Sequence, residues 1–203
     1  MTFVSLSRLS LAFAAASLTL ATLAQETVFR IGGRASQQLA SVESETDFET
    51  FTGRTDKVSG TIRFDPAKRT GSGRIEVDVA SIDTGIALRN EHMLAANWMD
   101  AAKFPKITFE TTKVEHVQGD RYRVTGNFTM RGVTKPITVE ATVRHLPESQ
   151  ATRGAGFRGD VLQVRTSFNV KISEYGVRIP AQAASKVADT VKISISVYAQ
   201  SGS

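Results

Sequence analysis

Apolar residues recur with a period of two along most of this chain, a pattern that predicts β-strands. The clearest run extends from Arg121 to Met130, where a polar residue separates each apolar residue or glycine from the next. Similar alternation covers residues 58–64, 75–79, 107–109, 137–143, 164–170 and 191–197, and weaker runs cover 28–33 and 39–48. The chain is therefore predicted to form eight or nine strands, most of them with one apolar face and one polar face.

One long segment, Ser81–Glu110, interrupts the alternation, which resumes only after Pro105. Asp83 or Thr84 can cap a helix start, because a short side-chain oxygen accepts a hydrogen bond from an N–H of the first turn. Four large apolar residues then fall on one side at helical spacing: Ile86, Met93, Leu94 and Trp98. The segment is predicted to be a short helical insert that closes one end of a β-structure.

A single short helix cannot cover the apolar faces of eight or nine strands. A sheet closed on itself buries these faces and leaves no exposed edge. Short connections between the strands favour antiparallel order. The predicted fold is therefore all-β, an antiparallel eight-stranded or nine-stranded β-barrel, and a two-layer sandwich is the alternative.

The N-terminal residues have the features of a secretory signal peptide. Arg8 is followed by the apolar run Leu9–Leu23, and the small residue Ala24 offers a cleavage site. A membrane anchor is the alternative, but the run is shorter than the roughly 20 apolar residues that span a bilayer. We therefore expect one domain over residues 25–200, a frayed tail over residues 201–203, and a periplasmic or secreted location.

The formal net charge of +5 could suggest nucleic acid as a partner, but the sequence shows acidic residues interspersed among the basic ones. Dense Lys/Arg runs and aromatic residues on the polar faces, which stack on bases, are both lacking. Nucleic acid is therefore not an expected partner. Transient membrane contact and a homodimer are left open.

Residues with catalytic or metal-binding potential are few. His92, His116 and His145 belong to separate elements, and the chain contains no cysteine, so neither a metal site nor a cofactor is predicted. His92 and Glu91 could exchange protons, but a charged surface cluster explains the same residues. The protein is not expected to be an enzyme.

The apolar residues that face inward by parity are candidate ligand-binding residues. Eight-stranded barrels are either packed solid or hold one small ligand, and the alternation alone slightly favours the solid core. These residues are Ile62, Phe64, Ile75, Val77, Phe109, Phe128, Met130, Ile137, Val139, Phe168 and Ile193.

Several motifs, in order, resemble the YceI-like family of polyisoprenoid-binding, lipocalin-like proteins that bacteria export. The similarity extends from about Val28 to Val197. The segments that carry it are VDVASIDTG at 77–85, RNEHM at 89–93, WMD at 98–100, FPKITF at 104–109, VTGNFTMRGVTKP at 124–136 and YGV at 175–177. The chain departs from the usual family residues at Asn90, Met99 and Met130.

The resemblance implies a lipocalin-like barrel whose interior takes a long apolar ligand, such as an isoprenoid, a quinone or a fatty-acyl lipid. It adds Met93, Trp98 and Tyr175 to the candidate ligand-binding residues, and the head group would lie near Tyr175, Asn90 or His92. Burial of each methylene contributes about 0.8 kcal/mol, whereas association costs an estimated 4–15 kcal/mol, so a tail of about twenty carbons is favoured over one of about five. An enzyme that acts on such a lipid and a barrel without a ligand are the alternatives.

Overall fold

The computed structural model describes residues 26–32 and 38–202, so the predicted signal peptide lies outside the described residues. Ten strands and two short α-helices are found in the described part of the chain. The strands are β1 (Thr27–Ile31), β2 (Leu39–Glu45), β3 (Thr50–Thr55), β4 (Val58–Asp65), β5 (Thr70–Asp78), β6 (Lys106–Gln118), β7 (Arg121–Met130), β8 (Val133–Leu146), β9 (Val161–Lys171) and β10 (Thr190–Gln200), and the helices are α1 (Ala87–Leu94) and α2 (Gln150–Gly154).

Eight of the strands close into an antiparallel barrel. Their order is β1-β4-β5-β6-β7-β8-β9-β10, and the pairing of β1 with β10 closes the ring. The predicted lipocalin-like barrel is therefore confirmed, and the sandwich alternative is excluded. The hairpin of β2 and β3 lies outside this ring.

The β2–β3 hairpin extends the barrel wall where β1 ends. β1 contacts β10 through two residue pairs, Arg30 with Gln200 and Ile31 with Ala199. The earlier part of the same β10 edge, residues 192–196, pairs with β2 instead. On the far side of the hairpin, the backbone of Arg54 exchanges two hydrogen bonds with Asp83, at 2.8 and 2.9 Å. The hairpin thus joins β10 to the segment that follows β5.

The barrel has two ends, which carry different connections. We call one the insert end: it carries residues 79–105, the β7–β8 turn at 131–132 and the segment 172–189. We call the other the loop end: it carries the β4–β5 turn at 66–69, the β6–β7 turn at 119–120 and the β8–β9 loop at 147–160.

Two clusters of buried side chains fill parts of the barrel interior. The first includes Phe64, Tyr122 and Leu162, which belong to strands β4, β7 and β9 near the loop end. The second gathers at the insert end and comprises Phe128, Met130, Val170, Ile172, Tyr175, Val177 and Val191. The first cluster also extends to Val58 and Val77, near the insert end of β4 and β5. Full burial of a large apolar side chain contributes about 1.5–3 kcal/mol, so both clusters stabilise the barrel.

The predicted helical insert is present, but α1 is shorter than its apolar pattern indicated. It begins at Ala87, with Ile86 at the N-cap position and no side-chain cap. Neither Asp83 nor Thr84 caps it, because both are bonded to the Asn90 side chain. Trp98 lies in the turn after the helix and packs with Met99 against the second cluster, so this turn, and not a buried helix face, covers the insert end.

At the loop end, the β8–β9 loop contains α2, whose first turn is fixed by a capping box between Ser149 and Thr152. Ser201 and Gly202, predicted to fray, are held to this loop by backbone hydrogen bonds of 2.9 Å to Asp160 and Arg158. Across the described ranges 26–32 and 38–202, none of the helices has the length and apolar character needed to cross a membrane.

Candidate ligand-binding cavity

The barrel encloses an apolar cavity whose lining includes residues of both clusters. Strands β2 to β10 all contribute to its wall, together with Ile82 of the insert. The interior not occupied by atoms is about 1240 Å³, including the part open to solvent. About 160 Å³ can hold the centre of a water-sized molecule. A single water needs about 10–15 Å³ by that measure, so the barrel is hollow and not packed solid.

Nine of the fourteen predicted ligand-binding residues line this cavity. They come from seven of the barrel strands, and on each strand they lie on the inward face. These residues are Ile62, Phe64, Ile75, Val77, Phe109, Phe128, Val139, Phe168 and Ile193. The parity of the sequence thus locates the wall of the cavity, and the binding of a ligand by these residues stays a prediction.

The other five predicted residues do not line the cavity. Met130 and Tyr175 belong to the second cluster, and Trp98 and Ile137 pack against it. Met93 is half-buried in α1. Met130, Tyr175, Trp98 and Ile137 therefore close the insert end behind the Phe128 ring, which lines the cavity.

Sequence reasoning missed the contribution of the β2–β3 hairpin. Ala40 and Val42 of β2, Gly53 and Thr55 of β3, and Ile82 all line the cavity. The alternation of Ala40 and Val42 was a usable signal, although polar residues surround them. β3 had no such signal, because its inward positions carry glycine and threonine.

Many of the inward side chains are only half-buried, although the barrel wall shields them from outside solvent. Ile75, Ile107, Val124 and Val143 are examples, and each faces the cavity. Their remaining exposed surface is therefore directed into the hollow interior. An apolar guest would remove that surface from contact with water, which is the driving force of hydrophobic binding.

The Phe128 and Phe168 rings form the floor of the cavity at the insert end, and the Tyr175 ring packs against Phe128 outside the lining. The Phe128 ring packs edge-on against Phe168, with ring centroids 5.8 Å apart, and against Tyr175 at 5.5 Å. Such edge-to-face pairs contribute beyond the area they bury. Burial raises the pKa of the Tyr175 hydroxyl above its ordinary value, so this residue is a neutral phenol at physiological pH.

The remaining candidate polar residues lie away from the cavity wall. His92 and Glu91 are exposed on α1, and Asn90 is engaged by Asp83 and Thr84. His145 contacts Asp160 at the loop end, at 2.9 Å. Within the described ranges, no three His, Cys, Asp or Glu side chains lie where they could hold a metal ion together.

Comparison with known proteins gives one family for nearly the whole described chain. A family model described as the YceI-like domain matches residues 29–199. The UPF0312 protein of Azotobacter vinelandii is 32% identical over 136 residues, 65% of this chain and 66% of that protein. Protein YceI of Salmonella arizonae is 42% identical over 84 residues, 40% of this chain and 43% of that protein. Each match spans less than two thirds of the relative's length.

Solved structures share the fold. BcnA of Burkholderia cenocepacia superimposes with a TM-score of 0.68 at 28% identity, covering 80% of this chain and 96% of that one. A polyisoprenoid binding domain from Saccharophagus degradans, described as implicated in plant cell wall breakdown, gives 0.63 at 18% identity, covering 87% and 99%. The YceI protein of Campylobacter jejuni gives 0.60 at 23% identity, covering 72% and 82%.

Proposed function

The chain belongs to the YceI-like family, and we propose that it binds one long apolar chain, an isoprenoid, quinone or fatty-acyl tail, in the cavity of its barrel. The observation that carries this proposal is the hollow interior, lined by inward side chains that the wall shields from outside solvent. A solidly packed barrel would have no place for a guest.

The apolar lining of the cavity also favours a long ligand over a short one. Each methylene moved from water into the cavity contributes about 0.8 kcal/mol, and association costs an estimated 4–15 kcal/mol. A tail of about twenty carbons therefore leaves a clear surplus.

Two further observations support the class of ligand and the place of action. The Saccharophagus degradans domain that shares this fold is described as binding polyisoprenoids. The sequence of residues 1–24 has the features of a secretory signal peptide, and we therefore place the protein in the periplasm or outside the cell. There it would carry or sequester its ligand. The exposed His92 and Glu91 lie outside the cavity lining, so we assign no enzymatic step to them.

The proposal is tested by organic extraction of the purified protein, followed by mass spectrometry. We expect a long apolar compound in stoichiometric amount. Val143 faces the cavity and Thr142, the preceding residue of β8, is exposed on the outer face, so the two give a matched pair of variants. Val143→Phe fills part of the interior and should reduce the amount extracted, whereas Thr142→Phe should leave it unchanged.

Both variants should retain the circular dichroism spectrum of the wild type, which separates loss of ligand from loss of fold. The proposal fails if repeated extractions of the wild type yield nothing apolar and added long-chain lipids do not bind. It also fails if the two variants bind equally well.

A further inference from the structure

The barrel wall has a lateral interruption between β5 and β6. The residue pairs of this ladder begin at Asp78 and Lys106 and end at Arg74 and Glu110. Over the rest of these two strands, which the structure describes in full, no residue of β5 pairs with β6. Residues 70–73 of β5 pair with β4, and β6 pairs with β7 from Thr111 to Gln118. The β6–β7 ladder shifts register between Thr111 and Lys113, the point at which β6 leaves β5. Beyond it, the two strands diverge towards the loop end.

The β5 edge of this interruption carries almost no side chains. Its residues are Gly71, Ser72 and Gly73, and all three line the cavity, as does Thr111 across from them on β6. Ser72 is also exposed on the outer surface. A Cβ atom at Gly71 would lie 2.6 Å from the carbonyl oxygen of Arg63, so this backbone has no room for a larger residue. We call this opening, bounded by residues 71–73 and Thr111, the window.

A second interruption, between β8 and β9, has a different character. Its ladder ends at Ala141 and Thr166, so the strands also diverge towards the insert end. There, however, the Phe168 ring packs against Phe128, and Lys135 bonds to Glu174 at 2.8 Å. This gap is closed by side chains of the second cluster, whereas the window is bare backbone.

Basic side chains gather beside the window. Arg63, Lys68 and Arg69 are exposed in and next to the β4–β5 turn. The carboxylate of this turn, Asp65, is buried and accepts hydrogen bonds from backbone N–H groups, including that of Lys68, which hold its pKa below the usual range. Lys68 Nζ also pairs with the Asp65 carboxylate at 3.3 Å, so the excess of positive charge on the outer side of the window comes from Arg63 and Arg69.

Arg69 crosses from the β5 side of the window to the β6 side. Its backbone adopts φ 56°, a left-handed conformation that is uncommon for a residue other than glycine. His116 Nε2 on β6 lies 2.9 Å from the Gly119 carbonyl oxygen, and the Arg69 Nη1 donor lies 2.7 Å from the same ring nitrogen. This exposed contact is a weak one in water, so the guanidinium can exchange it for a stronger bond to an anion.

We propose that the window is the head-group site of the protein: the apolar tail of an amphiphile lies in the cavity, and its anionic head group, a carboxylate or a phosphate, lies outside the window against Arg63 and Arg69. This inference rests on the proposed function, which supplies the tail. It places the head group at the loop-end side of the barrel, away from Asn90, His92 and Tyr175, which the sequence suggested. The ligand class narrows from any long apolar molecule to an anionic amphiphile.

The charge part of the proposal is tested with two ligands that share a tail, palmitate and hexadecanol, by displacement of a fluorescent probe from the cavity. Wild-type protein should bind palmitate about threefold to tenfold more tightly than hexadecanol, the range expected for exposed charge-assisted hydrogen bonds. Arg63→Gln combined with Arg69→Gln should abolish this preference and leave hexadecanol binding unchanged. Lys192→Gln, at an exposed position on β10, is the control and should keep the preference.

The route through the window is tested with single cysteines, because the chain contains none of its own. A bulky thiol-reactive label on Ser72→Cys should slow the uptake of palmitate at least tenfold. The same label on Ser59→Cys should have no effect, because Ser59 is an exposed serine of the same hairpin, opposite the part of β5 that keeps its ladder with β6. Melting curves of both labelled proteins establish that the barrel is intact.

The outcomes separate this inference from the proposed function. If palmitate and hexadecanol both fail to bind the wild type, the proposed function is wrong. If both bind equally well, or if the double arginine variant keeps the preference for palmitate, the cavity holds a tail but the head-group site is wrong. Equal uptake by the two labelled proteins overturns the window as the route.

Discussion

Asn90 in α1 donates its side-chain amide to Asp83 Oδ1 at 2.7 Å. Its carbonyl oxygen accepts hydrogen bonds from the N–H and the hydroxyl of Thr84, at 2.9 and 2.7 Å. One side chain therefore ties the helix to the loop that pairs with Arg54 of β3. Asn90 departs from the usual residue of the family, and both the NH₂ and the C=O of its amide form hydrogen bonds here.

Removal of this amide should give a pH-dependent loss of stability. The hydrogen bond from Asn90 is the largest cause that lowers the pKa of Asp83, followed by the N–H of Gly85. Because the folded pKa lies below the unfolded value of about 3.9, this stabilisation is present above that value and is lost as pH falls through the folded pKa. Asn90→Ala should lower the melting temperature by about 2–4 °C at pH 7 and by less near pH 2.

Calorimetry between pH 2 and pH 7 checks this expectation. Asn97→Ala, at an exposed position of the same insert, is the control and should melt like the wild type throughout. A deficit for Asn90→Ala that is independent of pH would contradict the role given to Asp83.

Arg89 fixes α1 to the β2–β3 hairpin. Its guanidinium pairs with Glu49 and lies over the Phe51 ring, 4.1 Å from the ring centroid. Lysine keeps the charge but lacks the planar guanidinium, which stacks on the ring and can bind a carboxylate through two N–H groups. Arg89→Lys should therefore lower the free energy of local unfolding of the hairpin by about 0.5–1 kcal/mol. Hydrogen exchange of the β3 amides should accelerate correspondingly, and Arg165→Lys, at an exposed position on β9, should leave it unchanged. Unaltered exchange in Arg89→Lys would show that the hairpin does not depend on this contact.

Phe128 carries much of the packing at the cavity floor. It is 3% exposed and contacts both Phe168 and Tyr175. Phe128→Ala should lower the free energy of unfolding by about 3–5 kcal/mol in urea titrations, because it removes a buried ring and leaves a void. Phe48→Ala is the same change at a position that is 74% exposed, and it should cost little. Similar losses in the two variants would contradict the assignment of Phe128 to a tightly packed floor.

Arg69 and Arg131 share a left-handed backbone, with φ of 56° and 50°, but glycine should affect them differently. Glycine adopts this conformation without the steric cost that a side chain incurs, so Arg69→Gly should keep the stability or raise it by up to about 1 kcal/mol. It should also weaken the preference for palmitate over hexadecanol. Arg131→Gly should destabilise the protein instead, because the Arg131 guanidinium donates to the Ala96 carbonyl at 2.9 Å and holds the insert.

Urea titrations of both glycine variants give the two stabilities, and the probe-displacement assay gives the preference. A large loss of stability in Arg69→Gly would show that the Arg69 side chain stabilises the β4–β5 turn, which would contradict its assignment to ligand binding.

Much of the fold could be predicted because a barrel imposes one rule on all its strands. Ile75 and Val77 face inward for the same reason as Phe128 and Phe168, so alternation located the wall residue by residue. The rule failed where the inward positions of a strand carry no apolar side chain. β3 presents Gly53 to the interior and so shows no apolar alternation.

The capping residues and the window illustrate a second reason for failure. Asp83 has the right side chain for a helix cap, but Asn90 of the same helix, seven residues along the chain, binds that side chain instead. The point where β5 and β6 separate coincides with a register shift near Thr111. In the sequence this shift appears only as a change of parity, from Ile107 and Phe109 to Val114, and such a change does not show that a strand leaves its neighbour. Local composition predicted which side of each strand faces inward, whereas the folded backbone determines where strands separate.

Trp98 is the single tryptophan of the chain, and it packs against the second cluster at the insert end. The protein therefore has an intrinsic fluorophore at the insert end of the barrel, next to the floor of the cavity. Quenching of its emission by a tail brominated at its terminal carbon would measure, without any label on the protein, how deeply a guest extends.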